Sequence, residues 1–286
     1  MAPNVEPPIS AGASSCIAKV LSIACAAIAI LQLAGCAGAP KQAFNRAANA
    51  DIKVIGLLEP DTADEYVVAN LGHPGMGFGL IGGLIAAADN QSKTAELTQK
   101  LKSRSFDLRK ECMAALATEL TQTGYTAKPV AVKREKPGFL PKYDALDNGV
   151  DAYLDVSCSA GYLTAGPAVP YLPNVTANAR MVKRATKEVV YQEVFSYGFE
   201  NRYLKAVSIS ADAAYNFADF SALTNDDARA LEGIRKGIPL VARRLVQGLG
   251  AGPNPVPVAA LTAGVGTNTN NQSRASGGET TDTLPK

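Results

Sequence analysis

GMGFGLIGGLIAAAD, residues 75–89, can be read as part of either of two different folds. Gly77, Gly79 and Gly82 have the G-x-G-x-x-G spacing of a dinucleotide-binding turn, which would place the chain among doubly wound cofactor enzymes. Gly75, Gly79, Gly83 and Ala87 instead put small residues at every fourth position, a helix face that another backbone can approach closely. The cofactor reading fails on context. Its turn must follow directly on a strand, yet the β-rich run Lys53 to Leu58 ends nineteen residues before Gly77. No acidic residue closes a second strand about 20 residues beyond the glycines, and Phe78, Leu80 and Ile81 offer phosphate oxygens no polar contact. The segment is therefore read as a glycine zipper. Three settings stay open for it: burial in its own domain, contact with a second copy or a partner, or contact with a bilayer.

Outward from that segment, Ser92 to Thr123 predicts one long helix, with Leu97, Leu101, Leu108, Cys112, Leu116 and Leu120 on a single stripe. Gly124 fits a left-handed cap. Tyr125 to Lys133 reads as an extended segment that Pro129 confines to a sheet edge. Val150, Ala152, Leu154, Val156 and Cys158 alternate along a half-buried strand. The proline-rich stretch GYLTAGPAVPYLPN, residues 161–174, reads as a loop or broken edge strand, and Thr176–Arg184 with Glu188–Ser196 as a hairpin. Asn225-Asp226-Asp227 opens a last helix to about Gly248, in which Gly237 and Pro239 predict a kink or break.

Lys53–Leu58 supplies a first strand, so the order predicts an α/β (α+β) domain. Its sheet is mixed, with about four to six strands, one long helix, one kinked C-terminal helix and the glycine-rich apolar helical segment. The domain is expected over residues 51–250. Residues 251–286, poor in aromatic and β-branched clusters, are read as a disordered tail.

The N-terminus carries the most specific signal. Lys19 precedes the apolar run Val20 to Leu33, which has the length of a signal-peptide core and is short for a membrane span. It ends in Leu33-Ala34-Gly35-Cys36, which resembles the lipobox of bacterial lipoproteins. That resemblance implies cleavage after residue 35, acylation of Cys36, and a tether over residues 36–50. Because Ala37 rather than an aspartate follows Cys36, it also implies retention at the periplasmic face of the outer membrane. The order of elements in the domain resembles small α/β domains of periplasmic lipoproteins of the curli-secretion, TolB N-terminal and transport-auxiliary type. The resemblance rests on the first strand, the helix ending at Gly124, the Asn148-Gly-Val-Asp-Ala strand and the Arg180-Met-Val hairpin, and the segment at 61–90 departs from it. No functional residue is carried over.

The net charge is +2, and residues 1–35 hold only Glu6 and Lys19 as charges, so no field for nucleic acid is implied. Once Cys16, Cys25 and Cys36 are assigned to the signal and the lipid, Cys112 and Cys158 remain as either a disulfide or two separate buried thiols. His73 is the sole histidine, in a Gly-His-Pro turn, and is expected to be structural. Asp151 and Asp155, about 13 Å apart along one strand face, are expected to face solvent. Asp61, Asp64 and Glu65 are read as a solvated turn, and the tyrosines between Tyr153 and Tyr215 as either strand flanks or a contact surface.

These residues predict no catalytic site, metal or cofactor. The expected role is a lipid-anchored accessory or assembly subunit of an envelope transport or secretion system, with a homo-oligomer or an envelope protein as partner. The alternative is a module that binds a lipid or other envelope ligand through residues 75–88. If Cys36 is the acylated residue, Cys36→Ala abolishes incorporation of radiolabelled palmitate and releases the protein from sedimented membranes; continued labelling would refute the assignment.

Overall fold

The computed structural model describes residues 41–73, 79–146, 149–200 and 205–252. The lipobox Leu33, Ala34 and Gly35, the acylation candidate Cys36, Gly75, and residues 253–286 of the tail lie outside the described residues. The strands are β1 (Val54–Leu58), β2 (Asp61–Thr62), β3 (Val67–Asn70), β4 (Thr126–Val130), β5 (Ala152–Thr164), β6 (Leu172–Lys183), β7 (Val189–Gly198) and β8 (Val207–Ile209). The helices are α1 (Gly79–Ser103), α2 (Leu108–Gln122), α3 (Phe220–Asn225) and α4 (Asp227–Gly248), with a short 3-10 turn at Ala213–Tyr215.

All eight strands form one mixed sheet, ordered β4-β1-β5-β6-β7-β8, with β2 and β3 also paired to β5. The α/β expectation holds, with more strands than expected. The stretch 161–174 is not a loop: Gly161–Thr164 continues β5 and Leu172–Asn174 begins β6, so only residues 165–171 connect them. The hairpin forms as expected, and Pro129 lies in the terminal strand of the sheet. Thr126 N–H donates to Lys53 O (3.0 Å) and Val130 O accepts from Glu59 N–H (2.9 Å). Alternation then turns Pro129 outward, where its missing N–H costs no ladder bond.

β5 is the hub. Along one edge it pairs in parallel with β1, then β2, then β3, and along the other it pairs antiparallel with β6. One sheet face carries Leu154, Val156, Ala160, Ala177, Met181 and Phe195 under the helices. Burying that face is the dominant favourable term, at roughly 25 cal/mol per Å² of apolar surface. The other face carries a smaller cluster of Leu58, Val130, Tyr143, Val150, Tyr153 and Val182 beneath the 134–146 loop.

The predicted long helix is two helices. Leu97, Leu101, Leu108, Cys112, Leu116 and Leu120 are all buried, but α1 ends at Ser103 and α2 starts at Leu108. Ser105 takes a left-handed φ of 55°, and the Asp107 carboxylate caps the new helix by accepting from Lys110 N–H at 3.1 Å. Gly124 closes α2 with φ 94°, as expected, and Tyr125 N–H reaches back to Leu120 O at 3.0 Å.

α1 has a second task. The outward N–H groups of Tyr66, Val68 and Asn70 along β3 donate to Thr98 Oγ1, Thr94 Oγ1 and Asn90 Oδ1, each at 2.9 Å. Side chains four residues apart on a helix line up along one face, so a single face of α1 meets every second residue of the strand. A helix thus closes this sheet edge.

Of the kink or break expected near Pro239 the break does not occur: α4 runs continuously from Asp227 to Gly248 with Pro239 inside it. Pro239 is exposed, so the carbonyl it leaves without a donor lies on the side open to water. Gly237 is explained by packing instead: a Cβ there would sit 2.4 Å from Tyr197 Cδ1, and one at Gly233 would sit 2.5 Å from Tyr162 Oη. The sheet tyrosines therefore fill space that only glycine leaves on α4. Tyr162 and Tyr125 also donate to helix carbonyls, of Ala230 and Leu249, both at 3.1 Å.

Gly237→Ala should destabilise the protein by about 1–3 kcal/mol through overpacking. A Cβ at Gly83 would meet nothing within 4 Å, so Gly83→Ala should stabilise it by roughly 0.5–1 kcal/mol through helix propensity. Urea unfolding midpoints moving in opposite directions would bear this out; equal midpoints would refute it.

Candidate functional site

The glycine-rich segment enters α1 at Gly79, and Gly83 and Ala87 stand on its first turns. Ala87 is exposed, and Gly83 is half-buried, with nothing among the described residues within 4 Å of where a Cβ would stand. Beside them Leu84 is 63% and Ile85 59% exposed, with Leu71 at 46% just past the end of β3. Ala86 alone on this turn is buried, at 1%. Residues 83–88 therefore present an apolar surface outward instead of filling the core. Large apolar side chains grouped at one place mark contact sites more often than scattered ones do. No helix among the described residues is long and apolar enough to cross a membrane.

His73 lies in a turn, where its N–H donates to Asn70 O at 3.3 Å. Its Nε2 lies 3.9 Å from Asp89, whose carboxylate is held more closely by Lys93 at 2.7 Å. Among the described residues no group of three or more His, Cys, Asp or Glu side chains could hold a metal.

Of the two strand aspartates, Asp151 is half-exposed and Asp155 does not face solvent. Asp151 accepts from the N–H groups of Lys53 and Val54, both at 2.8 Å, and ties the start of β1 to β5. Asp155 is fully buried, beneath the loop that crosses the back of the sheet. It accepts from Arg134 Nη2 (2.8 Å), Leu140 N–H (2.8 Å) and Tyr143 Oη–H (2.9 Å). A buried carboxylate needs this many partners, because desolvation outweighs a single ion pair. Burial, with the Asp155 carboxylate alongside, also pushes the Tyr143 phenol above its ordinary range. Asp61 likewise leaves the expected acidic turn, accepting from Gly138 N–H at 2.6 Å, while Asp64 and Glu65 stay exposed.

Among the described residues the tyrosines between Tyr153 and Tyr215 are core residues. Tyr153, Tyr162, Tyr191 and Tyr197 are each 1% exposed or less, so the sheet offers no tyrosine contact surface through them. Tyr66 is buried against Phe106, and burial pushes its phenol up to about 12.

A groove of about 830 Å³ opens between α2 and the β4 edge. Its apolar wall includes Tyr66, Phe106, Met113, Ala117 and Pro129, and Lys102, Arg109, Glu59 and Asp64 stand around it. Among the described residues none of its lining comes from residues 79–88, so this groove lies away from the segment expected to supply a ligand site. The sequence did not reveal this groove because its walls come from three separate stretches, 59–66, 102–117 and 129–131. Inside the core, Cys112 on α2 and Cys158 on β5 are free, buried thiols lining one small void of about 10 Å³.

No family model matches the chain, and no curated protein matches it. Among solved structures, the PelC dodecamer from Paraburkholderia phytofirmans is similar over 75% of this chain and 96% of its own, with 9% identity and a TM-score of 0.34. A Xanthomonas campestris protein of the DUF330 family is similar over 73% of this chain and 90% of its own, with 10% identity and a TM-score of 0.34.

Removing Asp155 leaves the Arg134 guanidinium buried without its carboxylate, so Asp155→Ala should cost about 3–5 kcal/mol. Asp227→Ala, which removes the surface partner of Arg104, should cost clearly less. Urea melts of the two variants check the ranking, and a larger loss at Asp227 would contradict it.

Proposed function

We propose that the chain is an envelope lipoprotein, held by acyl groups on Cys36 at the periplasmic face of the outer membrane. It acts without catalysis as an accessory or assembly subunit, and its contact surface is the first two turns of α1. The observation that carries this reading is the exposure of Leu84 and Ile85 beside the exposed Ala87 and the half-buried Gly83, where an added Cβ would meet nothing within 4 Å among the described residues. Uncharged small residues flanked by exposed leucine and isoleucine suit close docking of another apolar surface, and exposing them to water without a partner is unfavourable.

The attachment is short. Gln42 exchanges backbone hydrogen bonds with Gln192 on β7 (2.8 and 2.9 Å), and Lys41 forms an ion pair with Glu193. Part of the expected tether, residues 41–50, therefore lies against the domain. From Cys36 to Lys41 the chain spans at most about 17 Å, so lipid on Cys36 would keep the β7 flank near the headgroups. Gln192 stands level with Asp155 across β6, whereas β3 ends opposite Thr164, nine residues further along β5. That separation is about 30 Å by strand rise. The spacing favours a protein contact at α1 over contact with the anchoring bilayer. A second reading, a module for an apolar envelope ligand, is favoured by the groove beside α2.

The test is a double substitution, Leu84→Asp with Ile85→Asp, in the acylated protein. The expected outcome is loss of crosslinked complexes, with urea stability changed by no more than about 0.5 kcal/mol. Complexes retained at wild-type level would sink the α1 reading; lipid co-purifying with both forms, detected by mass spectrometry, would support the groove instead.

A further inference from the structure

Cys112 and Cys158 approach each other by construction. Cys112 lies on the buried stripe of α2, one turn from Leu108 and Leu116, and Cys158 points from the middle of β5 toward the same helix. They are 3% and 4% exposed and share a void of about 10 Å³, bounded by Leu116, Ala177 and Leu245. The two thiols therefore face one shared space between α2 and β5. No polar group other than the partner thiol is among its lining residues.

We propose that Cys112 and Cys158 are a disulfide-forming pair that ties α2 to the hub strand, and that the bond is made before α2 docks. The reaction is thiol–disulfide exchange with a small or protein disulfide as oxidant. One cysteine, as thiolate, attacks the oxidant and expels a thiolate, giving a mixed disulfide. The second cysteine then attacks the mixed disulfide, forms the Cys112–Cys158 bond and expels the other half of the oxidant as a thiol. Two electrons pass to the oxidant, and the two protons leave the cysteines for the expelled thiolates.

The order of events follows from burial. In the folded domain the hydrogen bond with Cys158, and then burial, push the Cys112 thiol well above its ordinary range, which suppresses the attacking thiolate. An oxidant also has no path to atoms that are 3–4% exposed. Exchange is therefore confined to chains in which α2 is undocked. Once α2 closes, the same burial protects whichever state was trapped. The pair thereby records the redox conditions under which the chain folded. This inference concerns the fold alone and stands or falls separately from the acylation of Cys36.

The experiment uses the full natural sequence in mixtures of reduced and oxidised glutathione. Reactions are quenched in acid, alkylated with N-ethylmaleimide and read by mass spectrometry on the peptides that carry Cys112 and Cys158. Peptide-level reading keeps Cys16, Cys25 and Cys36 out of the measurement. The equilibrium ratio of disulfide to dithiol, at a fixed glutathione mixture, is expected to be at least about 100-fold higher in native buffer than in urea, as linkage requires of a bond the fold favours. The native reduced protein should oxidise at least about 100-fold more slowly than the unfolded chain, consistent with buried cysteines being inert. An equal or lower ratio in native buffer overturns the pairing, and equally fast oxidation of native and unfolded protein overturns the order of events.

Discussion

Every backbone donor and acceptor along β5 needs a partner on both edges, because the strand is buried on both faces of the sheet for most of its thirteen residues. β6 supplies one edge as a continuous antiparallel neighbour. The other edge is met piecewise by β1, β2 and β3, which follow one another along the chain and all run parallel to β5. The rest of the layout follows from that demand. Asp151 holds the first piece in register, Asp155 anchors the loop that covers the back of the strand, and the α1 side chains close the last piece.

α4 depends on the same frame from the other side. Tyr162 rises from β5, and Tyr191 and Tyr197 from β7, and α4 receives them where glycine replaces a side chain. Bringing the helix that close also lets Tyr162 satisfy a helix carbonyl as it fills the core. Small residues at helical spacing therefore occur twice in this protein with opposite consequences. On α4 they are filled from within, and on α1 nothing among the described residues fills the space beside Gly83.

Much of the layering was legible because burial writes its period into the sequence. The stripe from Leu97 to Leu120, the alternation from Val150 to Cys158, the hairpin and the Gly124 cap all followed from spacing. The split between α1 and α2 was missed because seven residues separate Leu101 from Leu108, which keeps the stripe in phase across a break; only the Asp107 cap signals it. Asp155 misled because a buried charge has partners from a distant loop that no local pattern announces. The exposed zipper could be located but not assigned to inside or outside, since Gly83 and Ala87 look the same in either setting. The groove beside α2 depends on tertiary neighbours alone.

The ladder of Asn90, Thr94 and Thr98 makes α1 a substitute for a ninth strand. α1 is fastened to backbone amides at regular intervals, and moving it away from β3 would expose them. A force applied at Leu84 or Ile85 would therefore pass into β3 and on to β5 through directional bonds. The apolar tip is therefore no loose arm: it continues a helix whose hydrogen bonds reach the edge of the sheet.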